Sequence, residues 1–360
     1  MVDERIRTLR GEIETVDGQI LRLLNDRARI VQEVGRVKAE VKMNFYAPQR
    51  EEEILQRLSQ KKPGSFPQRA IAPVFREIIS ACRSLETELT VAYLGPPATH
   101  TQLASLKHFG SSVRAVSEET LQDVFEAVAK EKATFGVVPI ENSIEGSVDR
   151  TLDLLIDFDV KIWAEVYLRV SHDLLSKTGK AEDIQKIYSH PQAFGQCRGW
   201  LRKNFPHVPL IETVSTAKAA MLANEEASAA AIATSLAASL HGLKVIASQI
   251  EDHLQNYTRF LVLGRKIPGR TGKDKTSVLF SIPHVPGSLC RILQTLSERG
   301  INLTKIESRP MKGKSWEYRF FVDFEGHTED PDVDDMMKKL SNTVLFMKVL
   351  GSYPKTVSIE

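Results

Sequence analysis

Cysteine is scarce in this chain. Cys82, Cys197 and Cys290 are the only three in 360 residues, far apart and without CxxC spacing. That pattern excludes a disulfide framework or a structural zinc site and points to a reducing cytoplasm. The histidines form no HExxH-like set, so neither a metal nor another cofactor is expected. No apolar run approaches the roughly 18 residues needed to span a bilayer, and Met1-Val2-Asp3-Glu4-Arg5 opens straight into a charged amphipathic helix rather than a signal peptide. Neither sign of charge dominates: 48 basic against 46 acidic residues leave a net +2. Nothing in that balance argues for nucleic acid or an acidic membrane surface as partner. What remains is ordinary globular composition, 42% hydrophobic and 26% charged, long enough for two or three domains.

The most informative positive feature is an apolar seam. Leu9, Ile13, Val16, Ile20, Leu23, Arg27, Ile30, Val34, Val37 and Val41 follow one another at spacings of four and three, apolar everywhere except Arg27. This periodicity predicts one long helix packed on other helices. At ~1.5 Å per residue it runs about 50 Å, too long for a compact monomeric bundle, so an intertwined dimer is expected. An unpaired guanidinium buried in such a seam would cost several kcal/mol (order of magnitude), so Arg27 calls for an anionic partner. Lys38 returns to within about 20° of Arg27 on the helix, ~16 Å away, so both can close on one small anion. Arg10 lies about 25 Å from Arg27 and can serve such a site only in a partner chain's copy. A register-fixing polar position or a solvated charged face fits the same spacing.

Three blocks follow along the chain. Residues 1–88 read as all helix, with a breaker at Met43–Pro48, a second helix through Arg50–Leu55 and a third from Ile71 to about Glu86. From Glu88-Leu89-Thr90-Val91-Ala92-Tyr93-Leu94-Gly95 to about residue 268, strands and helices alternate as in a two-lobed α/β domain with a ligand cleft. Thr99-His100-Thr101-Gln102 has capping-box spacing. A linker, Ile267–Asp274, precedes a β-α-β-β-α-β order over 275–360, the ferredoxin-like pattern.

In this order the blocks resemble the bifunctional chorismate mutase–prephenate dehydratases that carry a C-terminal ACT domain. The first block has Arg10, Arg27, Lys38 and Arg50-Glu51 at mutase spacings. The second has Tyr93-Leu94-Gly95-Pro96, Val138-Pro139-Ile140-Glu141-Asn142-Ser143, Ser189-His190-Pro191-Gln192-Ala193-Phe194 and Asn256-Tyr257-Thr258-Arg259-Phe260. The third has Val285-Pro286-Gly287-Ser288-Leu289 and Glu307-Ser308-Arg309-Pro310. The resemblance implies an intertwined helical mutase, a dehydratase built like the periplasmic binding proteins, and an ACT domain. It implies the path chorismate to prephenate to phenylpyruvate in the cytoplasm, with phenylalanine as feedback effector and a homodimer or homotetramer as the assembly.

The implied chorismate site holds the two carboxylates with Arg27 and a partner's Arg10. Lys38 donates to the ether oxygen, while Arg50 and Glu51 organise the site and take the hydroxyl. Two departures stand out. Ala47 replaces the family aspartate at the hydroxyl, and Glu86 stands where a glutamine donates to the ether oxygen. A carboxyl donates only when protonated, so mutase activity is expected to fall as pH rises through the Glu86 ionisation. For prephenate the resemblance implies Thr99, Glu141, Asn142, Ser189, Gln196 and Arg259, with Thr258 at the departing hydroxyl. Thr99 reads equally as a helix cap, Arg259 as an ion-pair member, and His190 beside Pro191 as structural. For phenylalanine it implies Pro286, Gly287, Ser288 and Leu289 facing Glu307, Ser308 and Arg309 across a domain pair. Arogenate, the amino-acid counterpart of prephenate, stays open as the substrate; a non-catalytic amino-acid sensor is the alternative from another class.

Overall fold

Helix α1 (Val2–Glu40) follows the apolar period, and its seam lies open: Leu9, Ile13, Val16, Ile20, Leu23, Ile30, Val34 and Val37 are exposed. The computed structural model describes residues 2–40, 48–61, 64–310 and 318–356, so Val41 and Ala47 lie outside the described residues. Helix α2 (Pro48–Ser59) starts with proline, whose missing N–H is no loss in a first turn. Helix α3 (Gln68–Ser84) buries Ile71, Ile79 and Cys82 on its inner face. These helices with Phe109–Arg114 form one structural unit; Thr90–His108 and the chain from Ala115 onward form the other.

The second unit begins with β1 (Thr90–Leu94), α4 (His100–Phe109), β2 (Arg114–Glu118), α5 (Leu121–Ala129) and β3 (Phe135–Asn142). It continues through β4 (Gly146–Ser147), α6 (Asp149–Asp157) and β5 (Lys161–Arg169). A second lobe follows: β6 (Asp173–Ser176), β7 (Lys186–Ser189), α7 (Pro191–Gln196), α8 (Arg198–Asn204) and β8 (Leu210–Glu212). It closes with α9 (Thr216–Glu225), β9 (Ala229–Ala233), α10 (Ser235–His241) and β10 (Lys244–Ala247). Strand β11 (Tyr257–Gly264) then returns to the first lobe, whose sheet runs β2-β1-β3-β11-β5 with β4 on β3. The second lobe's sheet runs β10-β6-β9-β7-β8. The chain thus crosses between lobes twice, after β5 and before β11, the two-lobed α/β arrangement expected.

The remaining elements are β12 (Asp274–Ser281), α11 (Ser288–Ser297), β13 (Leu303–Pro310), β14 (Tyr318–Glu325), α12 (Pro331–Ser341) and β15 (Phe346–Pro354). Their antiparallel sheet, β13-β14-β12-β15, has the ferredoxin-like order. One face packs Val278, Phe280, Val322 and Phe324 against α11 and α12. The other supplies Leu279, Phe321, Leu350 and Tyr353 to the same buried cluster as Ile140, Leu155, Ile162 and Leu261. A Cβ on Gly351 would run into the Ile162 backbone, so β15 approaches β5 that closely only with glycine there. The stretch read as a linker is held by Asp274, whose carboxylate accepts from Thr271 N at 2.8 Å and Gly272 N at 2.9 Å.

Candidate active sites

In the helical unit, one face of α1 carries the two cations, about three turns apart. Arg27 Nη1 is buried and has no hydrogen-bond partner among the described residues. Lys38 Nζ donates to Glu86 Oε2 at 2.9 Å, the Glu86 side chain being 9% exposed. Gly35 makes that approach possible: a Cβ there would lie 3.1 Å from Glu86 Cγ. Glu51 is clasped by Arg83, whose Nη1 reaches Oε1 at 2.8 Å and Oε2 at 3.0 Å while Nη2 donates to Phe109 O at 2.6 Å. Burial pushes the Glu51 carboxyl up from its ordinary value; Arg83, Arg27 and Lys38 pull it the other way. Arg27, Lys38, Glu51 and Glu86 therefore converge. Arg50 does not join them, since it is exposed and pairs with Glu53 at 3.0 Å. Arg10 is exposed on α1. Neither Arg83 nor Gly35 carries a periodic signal in the sequence, and both went unread there.

In the second unit, Asn142 at the carboxyl end of β3 faces Thr258 on β11. Asn142 Nδ2 donates to Thr258 Oγ1 at 2.9 Å and to Asn256 Oδ1 at 2.8 Å, and Asn142 Oδ1 accepts from Ile144 N and Glu145 N. With its oxygen accepting, the Thr258 hydroxyl proton is left to donate. Asn256 Nδ2 is buried without a partner among the described residues. The neighbouring pair, Glu141 opposite Arg259, points to the other face, because strand side chains alternate. Arg259 is 5% exposed, with Nε on Glu165 at 2.9 Å, Nη1 on Asp323 at 2.7 Å and Nη2 on the Tyr353 hydroxyl at 3.0 Å. The carboxylate of Glu141 meets Lys305 at 2.8 Å. A substrate contact shared by Glu141 and Arg259 with Asn142 and Thr258 thus conflicts with the period of two, and the ion-pair reading of Arg259 is the one the geometry matches.

The other lobe contributes Ser189, fully buried and donating to Ile232 O at 2.9 Å, and Gln196, whose Oε1 lies 2.7 Å from His172 Nε2. With Gln196 Oε1 as acceptor, its amide N–H groups are left to donate. His172 and His100 meet edge to face at 5.5 Å between centroids. Burial, then the His172 neighbour, lowers the His100 imidazole to about 4. Thr99 Oγ1 donates to Leu94 O, and Gln102 Oε1 accepts from Ala98 N, one residue short of the expected capping box. A complete box forms instead at Thr120 and Asp123. His190 caps α7 through Gln192 N.

Alternation also divides the expected effector residues. Gly287, left-handed at φ 82°, leads into α11 beside Ser288. Ser308 lies on the face of β13 opposite Glu307 and Arg309. Glu307 accepts from Ser147 at 2.8 Å, and Arg309 pairs with Asp149 at 2.5 Å and Asp153 at 3.4 Å, all on the dehydratase side.

Family models match all three blocks: chorismate mutase type II over residues 9–87, prephenate dehydratase over 91–268, and the ACT domain over 276–342. A bifunctional chorismate mutase/prephenate dehydratase of Aquifex aeolicus is 46% identical over 361 residues, spanning 99% of this chain and 100% of that one. The prephenate dehydratase of Arthrobacter aurescens, solved in complex with L-Phe, superposes with a TM-score of 0.68 at 34% identity, covering 74% of this chain and 90% of that one. A protein described as a quorum quenching acylase, GqqA, shares the fold at a TM-score of 0.69 and 29% identity, covering 74% and 98%. One fold therefore hosts more than one described activity, and the full-length match decides between them. With three family models in order and near-complete coverage of a 46% identical relative, the chain belongs to the bifunctional chorismate mutase/prephenate dehydratase family.

Proposed function

We propose that Arg27, Lys38, Glu51 and Glu86 form the chorismate site, completed by Arg10 of a second copy. The rearrangement is pericyclic, so the enzyme's task is to hold a flexible dianion in its reactive conformer and stabilise charge on the breaking ether oxygen. A guanidinium fork suits a carboxylate, and the unpartnered Arg27 Nη1 supports that role. Lys38 donates to the ether oxygen. Glu86 holds Lys38 in place. Arg83 positions Glu51 for the substrate hydroxyl, and Arg50 serves the rim. The exposed apolar seam of α1 supports the paired copy, since a contiguous face of that size is unusual in a monomer.

In the dehydratase domain, loss of carbon dioxide and the ring hydroxyl aromatises prephenate, and the poor leaving group needs a donor. Thr258 is that donor, aligned by Asn142; this pair is the observation that carries the reading. Gln196 offers its amide to a substrate carboxylate, Ser189 fixes the facing strand end, and Thr99 brings the N-terminus of α4 to the cleft. Phenylalanine binds where Pro286, Gly287, Ser288 and Leu289 meet Ser308, while Glu307 and Arg309 tie that site to the dehydratase domain. The domains divide at 88/89 and between 268 and 275. The location is cytoplasmic, in keeping with the free thiols of Cys82, Cys197 and Cys290; no described helix is long and apolar enough to cross a membrane.

The test is phenylpyruvate formation from chorismate, developed in alkali, with and without phenylalanine. Product that falls on adding phenylalanine supports all three assignments. Prephenate that accumulates without phenylpyruvate turns the second domain toward arogenate or pure sensing.

A further inference from the structure

His172 lies where the chain leaves β5 for the second lobe, 3% exposed, and its backbone is held on both sides. Its N–H donates to Glu251 Oε2 at 3.0 Å, and its carbonyl accepts from Ile250 N at 2.9 Å. Glu251 also accepts from Arg169 Nη2 at 3.1 Å, which laces the outgoing crossover to the returning one. The next residue, Asp252, donates from its N–H to Gln196 O at 2.7 Å. Its carboxylate accepts from Gly199 N at 2.7 Å and Trp200 N at 3.0 Å, at the start of α8. Neighbouring residues of one crossover thus fix the backbones of both His172 and Gln196.

Within that frame an imidazole meets an amide: His172 Nε2 lies 2.7 Å from Gln196 Oε1. A glutamine side chain is two-ended and turns either its oxygen or its N–H pair outward. A proton on His172 Nε2 binds the oxygen and leaves the N–H pair outward; a proton on Nδ1 reverses the amide. Nδ1 is buried without a partner among the described residues, so either tautomer leaves it unmatched. A bare lone pair is the milder loss there, since an orphaned buried N–H is the rarer case in proteins. His100 of α4 packs against the ring at 88° and 5.5 Å between centroids, which keeps it from swinging. Burial lowers both imidazoles from their ordinary value, so both are neutral near pH 7.

We propose that His172 is a positioning residue for prephenate binding: by donating from Nε2 to Gln196 Oε1, it turns the Gln196 N–H pair toward the cleft to receive a substrate carboxylate. His172 itself touches no substrate. The reversed amide would offer a carbonyl oxygen to a dianion and repel it. The inference rests on Gln196 as the carboxylate contact.

The experiment compares full-length wild type, His172→Leu, His172→Gln, Gln196→Ala and the double variant His172→Leu/Gln196→Ala, reading prephenate kcat and KM on each. His172→Leu is expected to raise KM about tenfold with kcat within about twofold, because the carboxylate contact exists in substrate and transition state alike. His172→Gln carries an amide donor to the same place and is expected to bring KM back to within about threefold of wild type. The double variant is expected to have the KM of Gln196→Ala, since His172 acts through that residue. A KM within about twofold of wild type in His172→Leu overturns the proposal, and so do losses that multiply in the double variant. Equal falls in kcat in His172→Leu and His172→Gln mark a merely structural histidine and overturn it as well. A wild-type KM in Gln196→Ala overturns the carboxylate contact itself, a failure seen without any change at His172.

Discussion

Arg27 in the helical unit is half-buried with one nitrogen shut off from water, Arg259 in the α/β unit is fully buried, and their surroundings are opposite. Arg259 is enclosed by Glu165, Asp323 and the Tyr353 hydroxyl, and the two carboxylates hold its guanidinium charged well above the ordinary arginine range against the opposing effect of burial. Arg27 keeps a buried nitrogen with no partner among the described residues, although Glu51 lies close enough to feel its charge. A buried cation with every donor matched holds structure together, whereas one left with an open donor is poised for an anion that is not part of the chain.

The largest effect that would break this contrast is at the dehydratase pair. Thr258→Ala is expected to lower prephenate turnover about 10²–10³-fold, leaving chorismate turnover unchanged in the same preparation. Equal loss of both activities would mean the two units do not work separately. Next is Ile20→Glu in the α1 seam, exposed in one chain. Sedimentation should show dissociation to monomers with mutase activity lost and prephenate turnover kept; an unchanged sedimentation coefficient would remove the paired copy from the site.

A smaller effect concerns acid. His100 is lowered to about 4 by burial, while in the unfolded chain it titrates near 6.5. The unfolded state therefore binds the proton first. Stability is full above pH 6.5 and declines as pH falls toward 4, by about 3 kcal/mol at most. Urea unfolding at several pH values checks this, with His100→Asn expected to flatten that part of the curve. Smallest is Glu86→Gln, which removes the charge that holds Lys38: mutase turnover should fall several-fold with prephenate turnover unchanged. Mutase turnover equal to wild type would remove the Lys38–Glu86 pair from the site.

Much of the fold was legible because it rests on periods. The seam from Leu9 to Val37 marked α1, and alternation of apolar runs with glycine and proline breaks marked β1, β3, β5 and the ACT order. The strands Arg114–Glu118, Leu210–Glu212 and Lys244–Ala247 were not read, since they are short and partly or wholly exposed, so no apolar run announces them. At the site, motifs assigned Asn142 and Thr258 to the same substrate, and the pairing of β3 with β11 sets them side by side. They also treated Glu141 with Asn142, and Arg259 with Thr258, as one cluster, although consecutive strand residues must face opposite ways. Glu307 and Arg309 were grouped with Ser308 for the same reason. Arg83 was invisible because its partner, Glu51, is 32 positions away in sequence, and only packing of α2 on α3 brings them together.

The contrast between the two arginines is tested most directly by thermal unfolding and both turnover rates on Arg27→Ala and Arg259→Met side by side. Arg27→Ala should lose mutase activity about 10²–10³-fold with its midpoint nearly unmoved and prephenate turnover intact. Arg259→Met, which leaves Glu165 and Asp323 facing one lysine, should lose about 3–5 kcal/mol of stability with chorismate turnover intact. The reverse pattern, an Arg27→Ala chain that melts early while still converting chorismate, would contradict the account.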